Sequence, residues 1–330
     1  MRISCAFAPS RETPAHVAHA EKLGYERAWC YDSPALYADV WMTLALCASR
    51  TTRIGLGPAV LVPSLRHPMV NAAAIATLAQ LAPGRVAAAL GAGFSGRRAM
   101  GQKALTWQYV ESYARTLRAL LRGEAVDWEG GTMQMLHDPG SVPERPIEIP
   151  LLIGAEGPKG RAVASALGDG VFAAGAWPSD APGLGRGAVV RGGTVLDPGE
   201  TADSNRVRDA AGPGLAVLFH AAYERGGAEA VRGIPGGAAW LRGIESVPLK
   251  QRHLEVHRGH LVLVNENDRK AWSAGAQAML MAATLSGSAQ EVRKKLDELR
   301  AQGVPELAYQ PAGPDITREL DAFAHAAGLG

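Results

Sequence analysis

His253, His257 and His260 follow one another at i, i+4 and i+7, so on a helix they would share one face. Two histidines four residues apart are spaced to ligate zinc. However, His253 is followed by Leu254 and Glu255 rather than by an H-E-x-x-H pattern, and no cysteine pair completes a ligand set. No metal is expected, and packing or substrate-side roles come first for these rings. His220, on another helix-prone stretch, is expected to be packed. The run Gly154-Ala155-Glu156-Gly157-Pro158-Lys159-Gly160 points to different chemistry. It joins a strand to a helix, and the free N–H groups of a helix N-terminus bind phosphate. Lys159 and Arg161 place positive charge where the helix dipole disfavours it, which fits an anion there as well as a plain turn. Arg97, Arg98 and Lys103 follow Gly91-Ala92-Gly93 and could neutralise a phosphate or an acidic tail, or form a solvated loop. The literal G-x-G-x-x-G from Gly91 to Gly96 is a poor dinucleotide fingerprint, because the next helix starts too late. No G-x-S-x-G elbow is present.

The elements that must position these residues alternate. Apolar runs over 2–7, 27–31, 54–62 and 86–90 read as strands, and amphipathic segments separate them. Pro14 opens the first helix, Asp39 caps the second and His67-Pro68 starts the third. Val126 and Trp128, then Met133 and Met135, alternate around Gly130-Gly131 as a hairpin. The rhythm resumes with strands over 151–154, 170–174 and 188–196. Gly212-Pro213-Gly214 should bend or split the helix over 206–225. Residues 226–251 are rich in Gly and Pro with no clear period. A capping box at Ser288 to Glu291 opens a helix before a last strand over 306–309. Strands that are apolar throughout and alternate with helices imply a parallel sheet covered on both faces. A single (β/α)8 TIM barrel over 1–330, with insertions near 124–148, 177–187 and 226–258, is the economical fold. A doubly wound open sheet is the alternative.

Composition excludes several classes. The chain has 330 residues, 47% hydrophobic, and a net charge of +2 with both signs scattered. No basic face for nucleic acid and no membrane-length apolar run is visible. Pro9 to Glu12 interrupt any signal-peptide core, so a cytoplasmic location is expected. The three cysteines, Cys5, Cys30 and Cys47, have no metal spacing and are expected in the core.

In a barrel the site lies at the carboxyl ends of the strands. Those ends are Phe7-Ala8, Asp32-Ser33, Ala59 to Pro63, Gly91 to Phe94, Gly154 to Lys159, Ala174 to Trp177 and Gln310. Many are small, which leaves room for a planar ligand. With R-H-P opening the third helix, L-G-A-G closing the fourth strand and the Gly154 to Lys159 turn, the chain resembles the bacterial-luciferase-like superfamily. That superfamily contains flavin-dependent monooxygenases and coenzyme F420-dependent reductases, including methylenetetrahydromethanopterin reductase.

The resemblance implies a flavin-type ring over the barrel mouth, supported by a bulge with a cis peptide at Ala59-Val60. It implies a phosphate near Gly157, Lys159 and Gly160, and a polar ring edge near Asp32, Gly91 and Gly93. Phe7, Gly154 and Glu156 complete the expected cofactor set. Many relatives carry Asp-His at the end of the second strand where this chain has Asp32-Ser33, so His257 or His260, with Asp32, is the expected acid/base. An FMN-dependent monooxygenase acting with O2 on a small organic substrate is the first expectation, with a flavin reductase as a partner. An F420-dependent hydride-transfer enzyme is the second, and a non-catalytic flavin-binding barrel the third. A homodimer fits the family.

Overall fold

The computed structural model describes residues 1–177 and 186–329. Its barrel strands are β1 (Arg2–Phe7), β2 (Arg27–Cys30), β3 (Gly55–Pro58), β4 (Ala88–Gly91), β5 (Leu151–Gly154), β6 (Gly170–Ala173), β7 (Gly187–Gly192) and β8 (Glu306–Gln310). These eight strands form one parallel sheet in the order β3-β2-β1-β8-β7-β6-β5-β4. Bridges from Leu56 to Val86 and from Leu61 to Leu90 join its two edges, so the sheet closes into a barrel. The closed (β/α)8 architecture is the one expected, and the open doubly wound sheet is ruled out. Phe7 pairs with Cys30, Cys30 with Pro58 and Gly91 with Gly154, so these carboxyl ends stand level.

Period-two alternation sorts the strand side chains into two layers. Ile3, Cys5, Phe7, Ala28 and Cys30 face the helices. Ala6, Trp29, Tyr31, Ala59, Ala89, Leu152 and Phe172 fill the barrel interior. Trp29 meets Phe172 edge-on at 5.3 Å, and its indole N–H donates to Glu306 at 2.8 Å. All three cysteines are buried and free.

Three features depart from expectation. The hairpin pairs Trp128 with Gly131, so its turn is Glu129-Gly130, both at positive φ, rather than Gly130-Gly131. Helix Asn205–Arg232 runs through Pro213, and its one non-helical residue is Gly227. Residues 226–258 are largely helical: Gly237–Glu245 and Arg252–Val256 belong to a lobe between β7 and β8 with its own core of Phe219, Trp240, Ile244 and Trp272. Two of its glycines mark close helix contacts rather than loops: a Cβ on Gly237 would collide with the Val231 carbonyl, and one on Gly243 with the Asn267 side chain. The segment over 177–187, expected as an insertion, lies except for its ends outside the described residues.

Candidate active site

The third strand breaks just where the barrel mouth begins. The Ala59-Val60 peptide is cis, as the resemblance implies. Around it the ladder changes partners: Ala59 N–H donates to Cys30 O of β2 at 2.8 Å, and Leu61 N–H to Ala89 O of the β4 side at 2.7 Å. The Val60 side chain then projects over the ends of β4 and β5. A Cβ on Gly91 would lie 2.7 Å from Val60 Cγ2, and one on Gly154 would lie 2.8 Å from Val60 Cγ1. These two glycines make room for Val60, and Val60 together with Ala8, Val190 and Leu261 packs on the interior cluster.

Asp32, at the end of β2, is committed to an ion pair. Arg66 Nη1 reaches both its oxygens at 2.7 and 2.8 Å, and Arg66 Nη2 reaches Asp39 at 2.7 Å. Asp39 in turn caps helix Val40–Ala48 through Trp41 and Met42 N–H. Burial pushes the Asp32 carboxyl above the usual carboxylate range, and the Arg66 hydrogen bond and charge act against that rise. Asp32 therefore ties β2 to the segment after the bulge. Phe7 is placed away from the mouth, in the helix-facing layer with its ring stacked on His16 at 6.4 Å. The reason is alternation: Ala6 takes the inward position on β1.

Tyr31 is the inward neighbour of Asp32 and was not singled out from sequence. Its hydroxyl is buried without a hydrogen-bond partner among the described residues. Burial raises its pKa well above the ordinary value, so it stays a proton-bearing donor. The signal was present, since Tyr31 stands two residues beyond Trp29 on an alternating strand.

Across the mouth, helix Pro158–Leu167 starts at Gly157, which provides no side-chain cap. A Cβ at Gly157 would meet nothing within 4 Å, so this terminus is open, and Lys159 is exposed beside it. Gly160 has a packing role instead, because a Cβ there would run into Trp107 and Ala155. Glu156 pairs with Arg225 at 3.2 Å. The guanidinium groups of Arg98 and Arg225 both lie over the Phe94 ring, at 5.7 and 6.0 Å. Gly93, in the left-handed region at φ 77, starts the short helix that carries Phe94 and Arg98.

The histidines assemble differently from the helical-face expectation. Helix Arg252–Val256 ends before His257, and His253 is set beside Gly101. His220, from helix Asn205–Arg232, takes the third place in the cluster: its Nδ1 lies 2.8 Å from His260 Nδ1. His257 Nε2 lies 3.2 Å from Glu224, whose other oxygen pairs with Arg98 at 3.0 Å. Burial pushes His260 down to about 3 and His220 well below its ordinary value, so both rings are neutral near pH 7. The turn after His260 closes onto the mouth. Tyr37 Oη donates to His260 O at 2.7 Å and Gln310 Nε2 to Leu261 O at 2.9 Å, with Leu261 at φ 60.

The mouth thus offers a buried hydroxyl, unpartnered among the described residues, on one side and an open helix N-terminus with nearby arginines on the other. That donor set fits a planar, polar-edged ring with an anionic tail.

Comparison with known proteins agrees with this arrangement. The model of the luciferase-like monooxygenase family matches residues 6–306. The 5,10-methylenetetrahydromethanopterin reductase of Archaeoglobus fulgidus is 26% identical, over 97% of this chain and 96% of its own. The F420-dependent glucose-6-phosphate dehydrogenase of Beutenbergia cavernae is 36% identical over 50% of this chain and 52% of its own. Among solved structures, the coenzyme F420-dependent tetrahydromethanopterin reductase from Methanopyrus kandleri superposes with a TM-score of 0.66 at 20% identity, covering 99% of this chain and 98% of that one. With its bulged third strand and a family match spanning most of its length, the chain belongs to the luciferase-like monooxygenase family of oxidoreductases.

Proposed function

We propose that this oxidoreductase binds coenzyme F420 and serves hydride transfer between that deazaflavin and a small organic substrate. One observation carries the reading: a relative that matches nearly the whole chain, over 97% of its length, is a methylenetetrahydromethanopterin reductase. The half-length match to an F420-dependent dehydrogenase supports the same cofactor. These matches support the deazaflavin over FMN, the reverse of the expected order.

When bound, the deazaflavin would supply the hydride-accepting carbon. The chain's own residues would do the rest. Val60, Ala59 and the Gly91 and Gly154 backbone would form the floor beneath the ring. Tyr31 would donate its buried hydroxyl hydrogen to a polar edge, a bond strengthened by the low dielectric around it. The N–H groups at the Gly157 terminus would hold a phosphate, with Lys159, Arg98 and Arg225 countering a carboxylate-rich tail. Asp32 would act as a positioning group, keeping the 59–66 segment on β2 through Arg66. His257 and His260 would act from behind the turn that carries Leu261, holding it over the mouth.

A monooxygenase using reduced FMN stays as the second reading. The observation that favours it is the apolar cover of Leu261, Ala8 and Val190 over the barrel interior, which would exclude water from a reactive intermediate. Titration of the purified protein with F420, FMN and reduced FMN, followed by fluorescence and O2 consumption, separates the two. Saturable binding of F420 without O2 uptake is expected. Binding of reduced FMN with O2 uptake, and no binding of F420, would overturn the proposal.

A further inference from the structure

We propose that His220, His257 and His260 form a binding site for one divalent transition-metal ion, zinc being the ion that best suits three imidazoles. The proposal is independent of the cofactor reading and runs against the expectation from spacing, which grouped the wrong three histidines.

One ring nitrogen from each of the three lies within 4.8 Å of one from each of the others. All three residues are more than nine-tenths buried, at 2%, 1% and 6% exposure. Four-coordinate zinc with Zn–N bonds of about 2.0–2.1 Å spaces its nitrogens roughly 3.3 Å apart, so small side-chain rotations would complete the set.

The hydrogen-bond pattern shows where lone pairs are left over. His257 Nε2 faces the Glu224 carboxylate, which can only accept, so Nε2 carries a hydrogen and in the neutral ring Nδ1 carries a bare lone pair. His257 Nδ1 has no partner among the described residues. Between His220 and His260, one Nδ1 donates and the other accepts. With the hydrogen on His220 Nδ1, His220 Nε2 is also a bare lone pair, and it too is buried without a partner among the described residues. The opposite arrangement would bury an N–H with nothing to receive it, at a desolvation cost. A cation would satisfy both lone pairs, and His260 can supply the third ligand through Nδ1 once that nitrogen gives up its hydrogen bond with His220 Nδ1.

The surroundings match a metal centre. Glu224, one helical turn from His220 on the same helix, would orient His257 as the carboxylate partner of a ligating imidazole, and Arg98 fixes Glu224 from its other side. Trp240 shields His220, with ring centroids 5.8 Å apart. A bound ion would fasten the turn that covers the barrel mouth to helix Asn205–Arg232, a link between metal content and the stability of that cover.

The test uses the full-length protein stripped with a chelator and dialysed to equilibrium against zinc. Uptake of one zinc per chain is expected, and zinc-edge X-ray absorption of the loaded wild-type protein should show three imidazole nitrogens. His220→Asn and His257→Asn should each weaken binding by more than tenfold, and Glu224→Gln by roughly 10–100-fold. The proposal is overturned by uptake well below one per chain. It is equally overturned by uptake unchanged in the histidine variants, or by a wild-type spectrum of oxygen donors with at most one imidazole. Because the absorption spectrum needs no variant, it decides the matter even where a substitution fails to fold.

Discussion

Val60 occupies the space that Gly91 leaves empty: a Cβ on Gly91 would come within 2.7 Å of Val60 Cγ2. The glycines at the ends of β4 and β5 are thus tied to the bulge of β3. Gly91→Ala should displace the Val60 side chain and destabilise the protein by about 1–3 kcal/mol in urea unfolding, the usual range for overpacking. In a Val60→Ala background the same change should cost much less. Equal costs in the two backgrounds would show that Val60 is not the obstacle.

The Asp32–Arg66 pair yields a second prediction. The side chains are 1% and 14% exposed, so Arg66→Met leaves a carboxylate buried without its cation. A loss of about 3–5 kcal/mol is expected at pH 7. Asp32→Asn should recover much of it in the double variant. The sign of the pH effect follows from protonation: without Arg66 the folded-state pKa of Asp32 rises further, so the folded variant favours the neutral acid. Its deficit relative to wild type should therefore shrink as the pH falls from 7 towards 5, measured by parallel urea titrations.

The barrel was legible because each strand is buried on both faces and therefore reads as an apolar run, and the runs alternate with one-faced helices. The cis peptide was accessible only through family resemblance. Other parts were hidden for identifiable physical reasons. Glycine in residues 226–251 looked like loop composition, yet at Gly237 it permits a helix to touch the Val231 carbonyl. The histidine cluster joins His220 to His260 across 40 positions, a contact that no local spacing encodes. Tyr31 could have been found by carrying the alternation of β2 one step beyond Trp29. Asp32 attracted attention as an acid at a strand end, but its partner Arg66 lies 34 residues on, so its role as an anchor was not visible.

The histidine cluster also sets a pH dependence. Burial lowers the folded-state pKa of His260 to about 3 and that of His220 well below its ordinary value. A base with a depressed folded pKa contributes stability that is complete above its unfolded pKa, near 6.5, and is lost as the pH falls from there towards the folded value. Each ring should contribute a slope of up to about 1.4 kcal/mol per pH unit across that window. Urea titrations in chelator between pH 7 and 4 should show this loss. His260→Gln should flatten the slope even though it lowers stability at pH 7. An unchanged slope would mean that the cluster is not what titrates.

The last prediction concerns charge at the rim. Arg225 lies over Phe94 and pairs with Glu156, and both partners are substantially exposed, at 65% and 47% for their side chains. An exposed pair of this kind contributes little to stability, roughly 0–1 kcal/mol, so either residue can be changed without unfolding the protein. Their effects on the proposed cofactor should have opposite signs. Arg225→Glu should weaken binding of F420 severalfold at low salt by repelling its carboxylate tail, and the difference should fade as added salt shortens the screening length. Glu156→Gln should strengthen binding, because it removes a competing carboxylate and releases Arg225. Fluorescence titration at two ionic strengths measures both. If Glu156→Gln weakens binding instead, Glu156 holds the cofactor by hydrogen bonds of its own, and its pairing with Arg225 is broken when the cofactor arrives.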